Sequence, residues 1–142
     1  MRLITFLLLL AIPCKALAQN LDASSLEKEL TSYPQLDTGR VSLLVQLANA
    51  EMFNQPTKSA AYAIQALEIS QEINYTEGVA QAYQMLGNSF RAQANLSAAL
   101  HYFLEAMKIA DSIHNEQLRA DLLGNIGMVY SDMGDYASAM TH

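Results

Sequence analysis

Apolar residues recur along most of this chain at the three- and four-residue spacing of a helical face. Ala80, Tyr83, Leu86, Gly87 and Phe90 keep that spacing, and Leu96, Ala99, Leu100, Phe103, Ala106, Met107 and Ala110 keep it again on a second segment. Polar Gln93 to Asn95 separate the two, so this stretch predicts a helix, a turn and a second helix. The same pattern returns 40 residues later. With Gly87 set on Gly127, Tyr83 falls on Leu123, Leu86 on Ile126, Phe90 on Tyr130, Leu96 on Tyr136 and Ala99 on Ala139. Here the predicted turn is Met133-Gly134-Asp135, a glycine suited to a left-handed helix end followed by an aspartate suited to an N-cap. A fainter copy lies upstream, with Leu47-Ala48 in the place of Leu86-Gly87 and Ala66 in that of Ala106. Polar connections at 74–78 and 114–117 separate the copies.

Two segments precede the first copy. Ser24-x-x-Glu27 has the form of a capping box, opening a short helix that Tyr33-Pro34 ends. Leu26 and Leu30 on one side of that helix are expected to dock it on the first copy as a cap, with the following residues as linker. Ahead of it, Arg2, the apolar run Leu3 to Ile12 and Ala16-Leu17-Ala18 read as a secretory signal cleaved before Gln19. The run is too short for a membrane-crossing helix, which needs about 20 residues. The expected organisation is therefore a signal peptide at 1–18, a capping helix and linker at 19–38, and copies at 41–74, 80–113 and 120–142.

Order and spacing in the copies resemble the tetratricopeptide repeat: Leu-Gly within the first helix, a Tyr or Phe three residues on, then Ala, an aromatic and Ala in the second. Tyr83, Leu86, Gly87, Phe90, Ala99, Phe103 and Ala106 hold those places in one copy, and Leu123, Ile126, Gly127, Tyr130, Gly134, Tyr136 and Ala139 in the next. The first copy is degenerate: Leu44, Leu47, Ala48 and Ala66 fit, but Glu51 stands where the tyrosine belongs and Ala63 where the aromatic belongs. The resemblance implies an all-α fold, antiparallel helical hairpins stacked as a right-handed superhelix. It also accounts for the glycines, each of which costs a helix interior about 1 kcal/mol relative to alanine. In the family these places lie where the two helices of a hairpin meet, and a side chain would hold the backbones apart.

Composition excludes more than it assigns. Hydrophobic residues make up 51% and charged residues 15%, the balance of a folded chain with a sizeable core. Cleavage of the leader would remove Arg2, Lys15 and the one cysteine, Cys14, leaving 6 basic against 14 acidic side chains, a net charge of −8. The six are scattered, which argues against nucleic acid, and a chain without thiols has no disulfide frame. His101, His114 and His142 belong to no metal-spaced cluster, and no nucleophile elbow, P-loop or dinucleotide fingerprint occurs, so no enzyme, cofactor or metal is expected.

The resemblance implies instead a groove lined by the first helix of each hairpin, for a protein or extended peptide. Its residues are expected to be Asn49, Met52 and Phe53, then Gln81, Gln84, Asn88 and Arg91, then Asp121, Met128, Ser131 and Asp132. Amides suit a peptide backbone because each offers donor and acceptor. Relatives that clamp a C-terminal carboxylate use lysines where Val45 and Gln84 stand here, so that ligand class is not expected. The last copy stops about two turns into its second helix, which implies the N-terminal piece of a longer chain or a truncated product. The expected protein is thus an exported, periplasmic or envelope-associated interaction module. The alternative is the sensory input region of a longer signalling protein, such as a sensor histidine kinase or transcriptional regulator. Contact with a membrane would come only from a segment beyond His142 or an uncleaved signal.

Overall fold

A computed structural model describes the backbone of residues 22–140 and the side chains of residues 22–134. The expected signal at 1–18, and Tyr136 and Ala139 as packing side chains, lie outside the described residues. Among the described residues six helices follow one another: α1 (Ala23–Ser32), α2 (Thr38–Glu51), α3 (Pro56–Glu72), α4 (Thr76–Ala92), α5 (Leu96–Ser112) and α6 (Glu116–Met140). There is no strand among the described residues.

The even beat of the array is set at the turns. Asn74, Ala94 and His114 each take a left-handed conformation, with φ of 56°, 59° and 53°. They stand twenty residues apart, and each hands over to the next helix within two residues. Asn95 caps α5 by accepting from the Ala98 amide, and Asn115 accepts from the Leu118 amide at the start of α6. Such caps satisfy amides that a helix's first turn leaves without partners.

Each helix packs on the next in sequence; in addition α2 touches α4 and α4 touches α6, whereas α3 and α5 do not meet. The first helices of the hairpins therefore lie close together on one side while the second helices splay apart on the other. That is a curved, all-α superhelical array with its concave side formed by α2, α4 and α6.

Packing explains the first of the two glycines. A Cβ built on Gly87 would lie 2.5 Å from the Phe103 ring, and Phe103 itself is fully buried. Leu47, Ala48, Ala66, Leu86, Ala99 and Ala106 are buried as the repeat pattern requires, and Tyr83 and Phe90 are half-buried beside Tyr102, whose ring stacks on Phe90 at 5.4 Å. A small polar seam crosses this interior. Ser59 Oγ donates to the Ala48 carbonyl, Ser89 Oγ to that of Met85, and the two hydroxyls lie 2.7 Å apart, joining α2, α3 and α4.

Three expectations need correcting. The first concerns α1, which is capped by Asp22, whose carboxylate accepts from the Ser25 amide at 2.8 Å, and not by Ser24. Glu27 does not reach back to the helix start; it accepts from Tyr62 at 2.7 Å and pairs with Lys58 at 2.5 Å, two stronger partners offered by α3. Docking follows as the pattern predicted, with Leu26 buried against Leu43 and Leu47 and Leu30 at the edge. The second concerns Met133-Gly134-Asp135, which is helix, not turn. A single glycine is a weak stop, costing about 1 kcal/mol, while each further residue of α6 gains a hydrogen bond. Third, Leu123, Gly127 and Tyr130 are exposed, and nothing lies within 4 Å of a Cβ on Gly127 or Gly134. With α6 continuous, no helix among those described returns across that face; Ile126 alone of that set is half-buried.

Candidate binding groove

The close side of the array carries a cleft between α4 and α6 of about 260 Å³. Glu77, Gln81 and Gln84 line it from α4, and Asn115, Gln117, Leu118 and Asp121 from the start of α6. Helical spacing selects these side chains: Glu77, Gln81 and Gln84 are four and three residues apart and so share one face. Gln117 and Asp121 do the same on α6, and the Gln117 amide donates to Asp121 at 3.1 Å. One repeat relates the two walls, Glu77 to Gln117 and Gln81 to Asp121. Four carboxamides and two carboxylates thus face a cleft with a single apolar lining residue.

Of the groove residues expected from the sequence, Gln81, Gln84 and Asp121 come together here. Arg91 and Asp132 also meet, further along α4 and α6, as an ion pair of 2.7 Å between Nε and Oδ2. Asn88 is half-buried, and Asn49, Met128 and Ser131 are exposed on their helices, but none of the four lines the cleft. Met52 and Phe53 lie beyond the end of α2, so they belong to the turn and not to the groove face; Phe53 is 81% exposed there. Glu77, Asn115 and Gln117 escaped the sequence reading because the helices were started three to four residues late. The 40-residue offset carries the signal for two of them, since Gln117 stands one repeat beyond Glu77.

No constellation for catalysis is assembled at this site. Among the described residues no group of three or more His, Cys, Asp or Glu is placed to hold a metal ion. His101 packs edge-on to Tyr102 at 5.2 Å between ring centres. Nor is any described helix long and apolar enough to cross a membrane.

Comparison with known families accounts for this architecture. Two models of the tetratricopeptide repeat match the chain, one over residues 79–115 and the other over residues 120–142. This is a tetratricopeptide repeat protein. No curated protein matches the chain. The first matched segment takes in α4 from Val79 onward and all of α5, with Gly87, Phe103 and, of the α4 wall of the cleft, Gln81 and Gln84. The second begins inside α6 and runs past Gly134, so the family pattern extends through the stretch that is continuous helix here. Tetratricopeptide repeats are scaffolds for protein–protein interaction, generally without catalytic activity of their own, and that coarse function holds for this protein.

Proposed function

We propose that this tetratricopeptide repeat protein is an exported scaffold that holds an extended peptide segment of a partner protein in the groove between α4 and α6. One observation carries the reading: Gln81, Gln84, Asn115 and Gln117 converge on a single cleft on the side where successive first helices touch. An extended peptide presents alternating carbonyls and amides, and a carboxamide satisfies either. Polar side chains at such a density, with only Leu118 apolar, fit a polar backbone better than a buried apolar helix. Export is supported by Arg2, the apolar run to Ile12 and Ala16-Leu17-Ala18, which would deliver the array to the periplasm or envelope.

Photo-crosslinking tests the groove. A benzoylphenylalanine placed at Gln81 is expected to yield adducts that map to one contiguous segment of a partner, and Gln84→Ala to lower their yield. The same probe at Leu104, which is exposed on α5 on the opposite side, is expected to give none of that adduct. Equal yields from both positions would overturn the groove assignment. Export is checked separately by fractionating the host: processing between Ala18 and Gln19 with recovery in the envelope supports it, and an unprocessed cytoplasmic product refutes it.

A further inference from the structure

We infer that the α4–α6 cleft selects a peptide carrying a lysine or arginine, whose cationic head sits between Glu77 on one wall and Asp121 on the other. The inference rests on the groove reading above and adds the chemistry of the ligand. Its ground is the balance of charge along the inner face. Glu77 has no ion-pair partner among the described residues, and Asp121 has only the neutral Gln117 amide. The two cations that α4 and α6 carry are both already paired, Arg91 with Asp132 at 2.7 Å and Arg119 with Asp111 and Glu116 at 3.1 and 3.4 Å, so neither offers net charge to a ligand. Both walls therefore present a carboxylate, one repeat and four residues apart in sequence, to a cleft that four carboxamides also line.

A ligand with an acidic side chain would bring like charge into a concave site, where field lines concentrate. A neutral peptide would use the carboxamides and leave both carboxylates unpaired. A cationic side chain pairs with both carboxylates while its backbone keeps the amides, so it alone uses the whole lining. The overall charge of −6 adds to the attraction at long range.

The experiment uses the full chain and three capped nonapeptides of alanine, serine and glycine that differ only in a central lysine, norleucine or glutamate. Binding is read by NMR from the side-chain amide signals of Gln81, Gln84 and Gln117. The lysine peptide is expected to bind about fivefold more tightly than the norleucine peptide, an advantage of the size an accessible ion pair supplies. That preference should shrink as salt rises from about 0.05 M to about 0.5 M, and the glutamate peptide should bind most weakly. The double variant Glu77→Gln with Asp121→Asn keeps shape and polarity, so norleucine-peptide binding should persist while the lysine preference disappears. If lysine and norleucine peptides bind equally, or the double variant keeps the preference, the cation inference falls and the groove stands. If none of the three moves the amide signals, the groove reading itself falls.

Discussion

Two glycines at matching places in the repeat meet opposite fates, and the difference is measurable at single residues. At Gly87 the space for a side chain is already taken by the Phe103 ring, 2.5 Å from where a Cβ would be. Gly87→Leu should therefore lower stability by about 3 kcal/mol, since overpacking at a closed interface outweighs any gain in helix propensity. At Gly127 nothing lies within 4 Å, so Gly127→Ala should raise stability by about 1 kcal/mol through helix propensity alone. Urea midpoints of the two variants check both signs at once; the same sign in both would break the packing assignment. A third residue tests the polar interior. Ser70 is fully buried, and its hydroxyl finds no hydrogen-bond partner among the described residues. One repeat later the same place is held by Ala110, also fully buried. Ser70→Ala removes an unpaired buried hydroxyl without opening a cavity of any size, and it should stabilise by about 1 kcal/mol in the same measurement.

Elements inherit from such residues both what the sequence showed and what it concealed. The helix pairs were legible because a 3.6-residue period is written in apolar side chains, and the turns near residues 74, 94 and 114 because polar runs interrupt it. Boundaries were less legible: Asp22 rather than Ser24 caps α1, because which side-chain oxygen reaches an amide depends on the chain's approach and not on residue type. The role of Glu27 was invisible for another reason, its partners Lys58 and Tyr62 being 31 and 35 residues away. That cluster ties α1, which packs on α2, by its side chains to α3 as well, and makes the docking pH-dependent. The ammonium of Lys58 first, and the Tyr62 hydroxyl second, hold the Glu27 carboxyl below its ordinary value of 4.5. A carboxyl depressed in the folded state stabilises it above the unfolded value, and that contribution disappears as pH falls through the folded one. The loss should begin near pH 4.5 and deepen below it. Amide exchange in α1 should accordingly quicken as pH falls from about 5 to about 3, beyond the intrinsic pH effect on exchange, and Glu27→Gln should flatten that response. An unchanged response in the variant would move the docking free energy elsewhere, to Leu26 and its neighbours.

At the scale of the whole array, stability is expected to run in a gradient, because each helix answers mainly to its neighbours in sequence. α4 and α5 are flanked on both sides. They share the cluster around Phe103, Ala106 and Ala110, and α4 also touches α2 and α6. α6 leans on α5 and, lightly, on α4, and carries Leu123, Met128 and Tyr130 exposed at 56%, 43% and 57%. A helix whose apolar residues face water contributes less to its own retention than one whose face is covered, at roughly 25 cal/mol per Å² of apolar surface removed from water. The first opening should therefore release α6 beyond Val129, its last fully buried residue, while α3 to α5 remain folded. Native-state hydrogen exchange resolves this directly. Amides from Tyr130 to Gly134 should exchange through low-energy local opening that is insensitive to dilute denaturant, whereas those of Leu86, Gly87 and Phe103 should follow the global transition. The cleft makes the gradient functional: its α4 wall belongs to the stable centre, and its α6 wall, Gln117 and Asp121, lies at the anchored start of the weaker helix. Ligand bound across both walls adds contacts that the fraying beyond Val129 leaves intact but that a larger opening, one that lifts the start of α6 off α4 and α5, would break. Protection in the first half of α6 should then rise with lysine-peptide concentration while that of α4 stays fixed, and a uniform rise in both would mean that α6 opens only when the array does.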